Sequence, residues 1–311
     1  MKKAIKKIIK KGFSLLPMGL KLSLGKMARK NDALRLLLQS QNIIGKFTVA
    51  VAGNQFIIDS KGGLIENSIF WNGLFKKWEC DVGWLWIQLS KCSNTAMDIG
   101  ANIGIYSLVY KSVNEGGKVV AFEPSIHHFP NLVANNNING FDIDCQQMAI
   151  SNFTGEQTFY DLPHENSNTA SLSPDKMKNW SGYEGEMNEY VVHTITLADL
   201  IDDQNLASLD LLKIDVELHE PEVLEGLGDY LIQYKPVVII EVLTNEIANK
   251  LNDLVPLDQF ELFHLSKAGF GTQVQSFTIE SNNNSKWEWN FVFFHKSLTE
   301  KIKSATTLYN E

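Results

Sequence analysis

Between Thr95 and Pro124 the chain reads as strand, glycine loop, helix, strand and acid. Asp98-Ile99-Gly100-Ala101-Asn102-Ile103-Gly104 forms the loop, and Val119-Val120-Ala121-Phe122-Glu123-Pro124 forms the second strand with its acidic end. This order is the first βαβ unit of a Rossmann-like fold, and its parallel crossover restricts where every later element can go. Gly100 and Gly104 have no Cβ, so the backbone can turn sharply and lie close to a ligand. Glu123 stands where such folds grip a ribose diol, since one carboxylate can accept from both hydroxyls. The dinucleotide fingerprint G-x-G-x-x-G is absent, because Asn102 occupies its middle glycine, where a pyrophosphate meets the backbone. That favours a nucleoside ligand without a diphosphate, and S-adenosylmethionine is the candidate that fits. Asp98, ending the first strand, is placed either to meet the ammonium group of a methionine moiety or to brace the loop by accepting its N–H groups.

From Ala96 onward strand and helix alternate, which predicts a parallel sheet with helices on both faces. Strands are expected at Thr95–Ile99, Val119–Glu123, Ile143–Ala149, Leu209–Asp215 and Pro236–Val242, and helices at Ile103–Val113, His127–Asn137, Glu220–Gly226 and Asn245–Leu254. Phe260–Leu265 and Trp289–His295 read as two strands closing the sheet edge. Ahead of this core, residues 46–90 read as a small cap, with strands Lys46–Val51 and Gln55–Asp59, a Gly62-Gly63 turn and an amphipathic helix from Trp78 to Leu89. The methyl-donor-binding domain is thus expected over 91–311, the cap over 46–90 and a basic helical segment over 1–45.

In that first segment Lys2, Lys3, Lys6, Lys7, Lys10 and Lys11 recur at helical spacing opposite Ile5, Ile8, Ile9 and Leu16, and Pro17 ends or kinks the helix. Two uses fit: packing the apolar arc on the domain, or lying through residues 1–16 on an anionic membrane as a peripheral contact. Gly12 to Leu20, broken by Pro17 and Gly19, does not read as a cleaved signal. The net charge of −8 argues against a nucleic-acid-binding surface spread over the whole molecule. Cys80, Cys92 and Cys145 are widely spaced and odd in number, so neither a disulfide framework nor a zinc site is expected, and a reducing, cytoplasmic compartment fits. No apolar run reaches the ~20 residues of a membrane span.

A second charged motif lies at Lys213-Ile214-Asp215-Val216-Glu217-Leu218-His219-Glu220. On a strand, Lys213, Asp215 and Glu217 share one face. In the expected strand order this element lies next to the first strand, with its carboxyl end at the cofactor crevice. Asp215 and Glu217 are candidates to orient an acceptor hydroxyl or act as general base, with Lys213 neutralising them; a purely structural ion-pair cluster is the alternative. Two acids this close also suit Mg²⁺, but no D-x-D or histidine cluster supports a metal. Glu241, after the apolar run Val237-Val238-Ile239-Ile240, stands at the same rim as a substrate-binding candidate. Between Pro163 and Glu189 the chain turns polar, and residues 163–189 read as a lid whose Trp180 and Tyr183 either stack on a sugar or pin the loop.

The motifs together resemble the FkbM-type class I methyltransferases. The resemblance rests on Asp98 to Gly104, Ala121-Phe122-Glu123-Pro124, Ala149-Ile150-Ser151-Asn152 with Gly155, Thr196-Leu197-Ala198-Asp199-Leu200 and Lys213 to Glu217, and covers roughly Asp98 to Glu241. It implies a seven-stranded, mostly parallel sheet with a reversed edge strand, S-adenosylmethionine as donor, and usually O-methylation, often of sugars, polysaccharide precursors or natural products. Carried over, Gly100, Asn102 and Gly104 would line the methionine end of the cofactor. Glu123 would take the ribose, Ser125 and Ala149 would flank the adenine, and Asp215 and Glu217 would face the transfer site. Leu218 departs from the pattern, where the family commonly has glycine; its side chain is expected to narrow the acceptor pocket or shift the following turn. The expected activity is methylation of a small-molecule or glycan hydroxyl. An NAD-dependent oxidoreductase and a non-catalytic cofactor-binding adaptor are the alternatives.

Overall fold

A computed structural model describes residues 12–13, 15–161, 170–172, 185–266, 269–279 and 289–306. The chain divides into two compact units, Met1–Cys80 and Asp81–Glu311.

The first unit carries the helices Met18–Lys30 and Asp32–Leu38, the strands β1 (Ile44–Val51) and β2 (Asn54–Lys61), and the helix Leu64–Asn72. Pro17 sits at the N-cap of Met18–Lys30, so it opens a new helix, and its locked φ suits that position. β1 and β2 pair antiparallel, with Val51 opposite Asn54 across the two-residue loop Ala52-Gly53. Both loop residues have positive φ, 46° and 87°, the left-handed pair that matches the twist of a tight hairpin. The helix Leu64–Asn72 is absent from the sequence reading, which passed from the glycine turn to a helix at Trp78. It buries Ile65, Ile69, Phe70 and Trp71, so its apolar residues make no clean stripe to detect. Trp71 is fully buried and donates its indole N–H to the Gln41 carbonyl at 3.0 Å.

The second unit is an α/β sandwich around an eight-stranded sheet, ordered β13-β12-β14-β11-β10-β3-β4-β5. The parallel set is β3 (Thr95–Ile99), β4 (Lys118–Phe122), β5 (Asp144–Gln146), β10 (Leu211–Ile214) and β11 (Val237–Glu241). β14 (Asn290–His295) runs antiparallel between β11 and β12 (Phe260–Ser266), and β13 (Gly269–Val274) adds an antiparallel strand at the edge beyond the expected seven. β3 is buried along its whole length, and so is β10, as strands covered on both faces must be. The core includes Met97, Ile99, Phe122, Leu212, Ile214, Val238, Ile240 and Phe293. Strand order reverses between β3 and β10, which opens a crevice outside their carboxyl ends, the place where open α/β sheets bind ligands.

One expected strand is corrected. Ile143–Ala149 does not run through: β5 ends at Gln146, and Ala149-Ile150 forms β6 in a separate four-stranded sheet, ordered β6-β9-β7-β8. There β6 pairs parallel with β9 (Asn188–Ile195), β9 pairs antiparallel with β7 (Gly155–Asp161), and β7 with β8 (Ala170–Ser171). Of the lid region 163–189, residues 170–172 and 185–189 are described; Trp180 and Tyr183 lie outside the described residues, as do residues 1–11 of the basic segment. Among the described residues no helix is long and apolar enough to cross a membrane.

Candidate active site

The glycine loop is built by backbone geometry that few residues tolerate. Gly100 has φ +81°, its N–H donates to the Phe122 carbonyl at 3.0 Å, and a Cβ there would overlap the Asp215 carbonyl oxygen. Gly104, at φ +87°, starts the helix Ile105–Val113, and a Cβ there would overlap Leu132. Asn102 also adopts a left-handed φ of 52°, and its side-chain oxygen accepts from the Ile103 N–H at 2.9 Å. Asparagine is one of the few side chains that visit this region at small cost. Gly100→Ala is therefore expected to destabilise the fold by roughly 2–4 kcal/mol, combining backbone strain with overpacking. Gly116→Ala, where a Cβ meets nothing, should stay within about 0.5 kcal/mol. Urea unfolding of the two variants checks the contrast.

Glu123 lies one residue beyond β4 and is 5% exposed. Its Oε2 accepts from the Asn102 N–H at 2.7 Å and its Oε1 from the Ser125 N–H at 2.8 Å. Each oxygen keeps a further lone pair, so the carboxyl group is fixed in place with acceptor capacity for a pair of hydroxyls. Burial pushes its pKa above the usual carboxylate range, while His128 and the two N–H groups pull it back. Ser125 is fully buried and its hydroxyl donates to Asp161 at 3.0 Å. The same oxygen accepts from the His127 and His128 N–H groups at 3.2 and 3.3 Å, which holds the turn after Glu123. Asp161 ends β7 and also accepts from the Tyr190 hydroxyl at 3.4 Å, so the small sheet is tied to this turn. Ala149 is buried in β6.

Asp98 is fully buried beside the loop. Its Oδ2 accepts from the backbone N–H and hydroxyl of Ser107 at 3.1 and 2.7 Å, which braces the first turn of the helix Ile105–Val113. Its Oδ1 is buried with no partner among the described residues. Burial raises the Asp98 pKa, and the nearby Lys213 charge lowers it. An unpaired buried carboxylate oxygen is costly unless a donor reaches it, and an ammonium group of a bound ligand is a fitting donor. The loop, Glu123 and Asp98 thus offer what a nucleoside with an amino-acid tail requires.

On the β10 side the structure joins two of the three charged candidates. Lys213 is buried, with Nζ 2.7 Å from Asp215 Oδ2 and 4.4 Å from the ring centre of Tyr106. The expected period-two face does not extend to Glu217, because β10 ends at Ile214 and the chain turns. Glu217 and Leu218 both adopt left-handed φ, 53° and 76°. Two contacts hold this turn. Glu220, fully buried at the start of the next helix, accepts at Oε1 from the Val216 and Leu218 N–H groups at 3.3 and 3.1 Å. The Ser171 hydroxyl donates to the Glu217 carbonyl at 2.6 Å. Leu218 itself is 1% exposed and belongs to the hydrophobic core, so it does not narrow an acceptor pocket; its departure from glycine places a methyl-bearing anchor under the turn. His219 Nε2 lies 3.0 Å from the Ser151 hydroxyl, a structural contact. Glu241 ends β11, half-buried, opposite Asn290. Among the described residues no group of three or more His, Cys, Asp or Glu is placed to hold a metal ion. The roles of Glu220 and Ser171 were missed by sequence reasoning, although the helix that Glu220 opens was expected.

A doubly wound sheet with a glycine loop at its switch point and a buried acid after the second strand is the arrangement of a nucleoside-cofactor-binding α/β domain. The profile of the methyltransferase FkbM domain matches residues 98–270, more than half of the chain, and the chain belongs to that family. Membership in this methyltransferase family displaces the oxidoreductase alternative. The chain is 27% identical over 164 residues to the hexuronic acid methyltransferase AglP of Haloferax volcanii, covering 53% of this chain and 62% of that protein. It is 29% identical over 159 residues to the 31-O-demethyl-FK506 methyltransferase FkbM of Streptomyces tacrolimicus, covering 44% of this chain and 60% of that one. The chain thus matches about three-fifths of the length of these two relatives. Among solved structures, the methyltransferase FkbM of Methylobacillus flagellatus KT matches with a TM-score of 0.39 and 17% identity, over 65% of this chain and 43% of that one.

Proposed function

We propose that this methyltransferase acts on a hydroxyl oxygen of a sugar, a surface-polysaccharide precursor or another small oxygen-rich molecule. The observation that carries the reading is the Lys213–Asp215 pair at the carboxyl end of β10, with Glu217 on the turn that follows, beside Asp98 and the glycine loop. When bound, S-adenosylmethionine supplies an electrophilic methyl group on a sulfonium. The chain's own task is to aim the acceptor oxygen along the line of transfer, since positioning accounts for much of such a rate, and to remove the hydroxyl proton. Asp215, ion-paired to Lys213, orients the hydroxyl, and Glu217 takes the proton. Gly100, Asn102, Gly104 and Asp98 hold the methionine end, Glu123 the ribose, and the Ser125 and Ala149 backbone the adenine side. Glu241 reaches the substrate from the neighbouring strand. Asp161 and Ser171 bond to Ser125 and to the Glu217 carbonyl, so the small sheet touches both halves of the proposed site.

The names of the two relatives support the acceptor class, one being a hexuronic acid methyltransferase and the other acting at a 31-O position. The test is methyl transfer from labelled donor to a panel of methyl glycosides and methyl uronosides, with Glu217→Gln alongside. Turnover by Glu217→Gln should fall about a hundredfold or more, the range expected for loss of a general base. Its affinity for S-adenosylhomocysteine should stay within about twofold of the parent. Unchanged turnover removes Glu217 from the reaction, and product binding without transfer to any acceptor favours the adaptor reading.

A further inference from the structure

The two units carry opposite charge. Residues 1–80 hold 15 Lys and Arg against 4 Asp and Glu, a net of +11, whereas residues 81–311 hold 13 against 32, a net of −19. The overall acidity of the chain hides a strongly cationic first unit. Within that unit a cleft of about 530 Å³ is lined by Arg29, Arg35, Lys76 and Lys77, together with Asn72 and an apolar wall that includes Val49 and Ile69. This size lies within the range of roughly 300–1,000 Å³ typical of small-molecule sites.

The cleft is held open by backbone and side-chain structure. Arg29 donates from Nε and Nη2 to the Phe70 carbonyl at 3.0 and 2.7 Å, which caps the last turn of the helix Leu64–Asn72 and fixes the guanidinium at the rim. The segment that delivers Lys76 and Lys77 is bent by left-handed residues, Gly73 at φ 97° and Phe75 at φ 50°, the latter a bulky side chain for that region. Strain of the kind seen at Phe75 persists where the surroundings impose it and concentrates at binding sites. Among the described residues the carboxylate paired with this group is Asp32, 2.5 Å from Arg35 and itself 80% exposed. Asn72 donates through Nδ2 to the Ser68 carbonyl at 3.0 Å, while its Oδ1 is buried with no partner among the described residues.

Four cations lining one cleft repel one another unless an anion answers them. A single carboxylate would leave most of that charge unmet, whereas two linked phosphoryl groups match it, with arginine forks and lysine point charges as their usual partners. We propose that the Arg29–Arg35–Lys76–Lys77 cleft binds a diphosphate-bearing small molecule. The site lies wholly in the first unit and does not depend on which hydroxyl the methyltransferase unit modifies.

The experiment is calorimetric titration of the full chain with inorganic pyrophosphate at low salt, saturated with S-adenosylhomocysteine to keep the cofactor site filled. Lys76 and Lys77 are exposed, so Lys76→Glu/Lys77→Glu should fold normally by circular dichroism while its pyrophosphate Kd weakens at least tenfold. Lys6→Gln/Lys7→Gln/Lys10→Gln should leave the Kd within twofold. No binding by the parent protein, an unchanged Kd in the Lys76/Lys77 variant, or a loss confined to the N-terminal variant overturns the proposal. Phosphatidylglycerol vesicles distinguish the source of the phosphoryl groups. Displacement of pyrophosphate by vesicles, lost in the Lys76/Lys77 variant, assigns the site to lipid phosphate in place of a diphosphate and overturns the proposed ligand class. Binding of pyrophosphate unaffected by vesicles supports a soluble diphosphate.

Discussion

Glu123→Ala should weaken S-adenosylhomocysteine binding at least a hundredfold in calorimetric titration. The expected size follows from the geometry. A buried carboxylate with one backbone N–H on each oxygen presents its remaining lone pairs to a diol, and hydrogen bonds to a charged acceptor contribute about 1.5–3 kcal/mol each. Losing two of them is worth a factor of roughly 10² or more. The substitution also frees the Asn102 and Ser125 N–H groups, so the glycine loop loses an anchor as well as a ligand contact. Asp161→Asn provides the contrast. Asp161 touches Ser125 and Tyr190, one step behind the acid, and its conversion to an amide should cost less than tenfold. A Glu123→Ala variant that binds within fivefold of the parent would remove the ribose assignment.

The parts of this site that sequence reasoning reached are those set by strongly periodic, buried strands. β3, β4, β10 and β11 are mostly apolar, so their existence and their carboxyl ends were readable, and with them the strand-end positions of Asp98, Glu123, Asp215 and Glu241. The glycines were readable because φ values of +81° and +87° leave little choice of residue. What lay beyond the strand ends was not. Glu217 was assigned to the face of Lys213 by extending a period of two past Ile214, where the backbone has already turned. Leu218 was read as narrowing the acceptor pocket or shifting the following turn, because the family commonly has glycine there. Its apolar character within a run of acids and a histidine was the better guide, and the side chain lies in the core. The β7–β9 pair was missed for a different reason. Its outer faces are polar, burial is confined to positions such as Phe159 and Val192, and its partners are far apart in sequence, so neither strand announces the other. Its consequence for the site, the Asp161–Ser125 and Ser171–Glu217 bonds, is tertiary and has no local signature.

Glu220 should govern both the stability of the proposed transfer site and its response to pH. The Glu217-Leu218 turn places two non-glycine residues in left-handed conformations, which costs free energy that its surroundings must offset. Glu220 Oε1 accepts from the N–H groups of Val216, just before that turn, and of Leu218 within it. Removing the acceptor in Glu220→Ala strands two N–H groups in a largely buried setting, and the fold should lose about 2–5 kcal/mol in urea unfolding. Because the turn carries Asp215 and Glu217, kcat should fall while the Kd for S-adenosylhomocysteine holds. Glu220→Gln keeps the Oε1 acceptor and should restore kcat, which separates positioning from a need for the acid itself. The amide also isolates the pH effect. Burial, added to by the charge of Asp215, pushes the Glu220 pKa up to about 8 from an ordinary 4.5. The folded state therefore holds its proton after the unfolded chain has released it. The contribution of this group is most favourable below pH 4.5 and is lost as the pH rises through about 8. Within that window the parent should lose stability relative to Glu220→Gln with a slope approaching about 1.4 kcal/mol per pH unit, the value for one proton. Asp98 and Glu123, also raised by burial, contribute in the same direction to both proteins and cancel in the difference. Parallel stability curves for the two proteins between pH 5 and pH 8 would show that Glu220 is ionised in the fold. The turn would then be held by a buried carboxylate, and Asp215 would work beside a second negative charge.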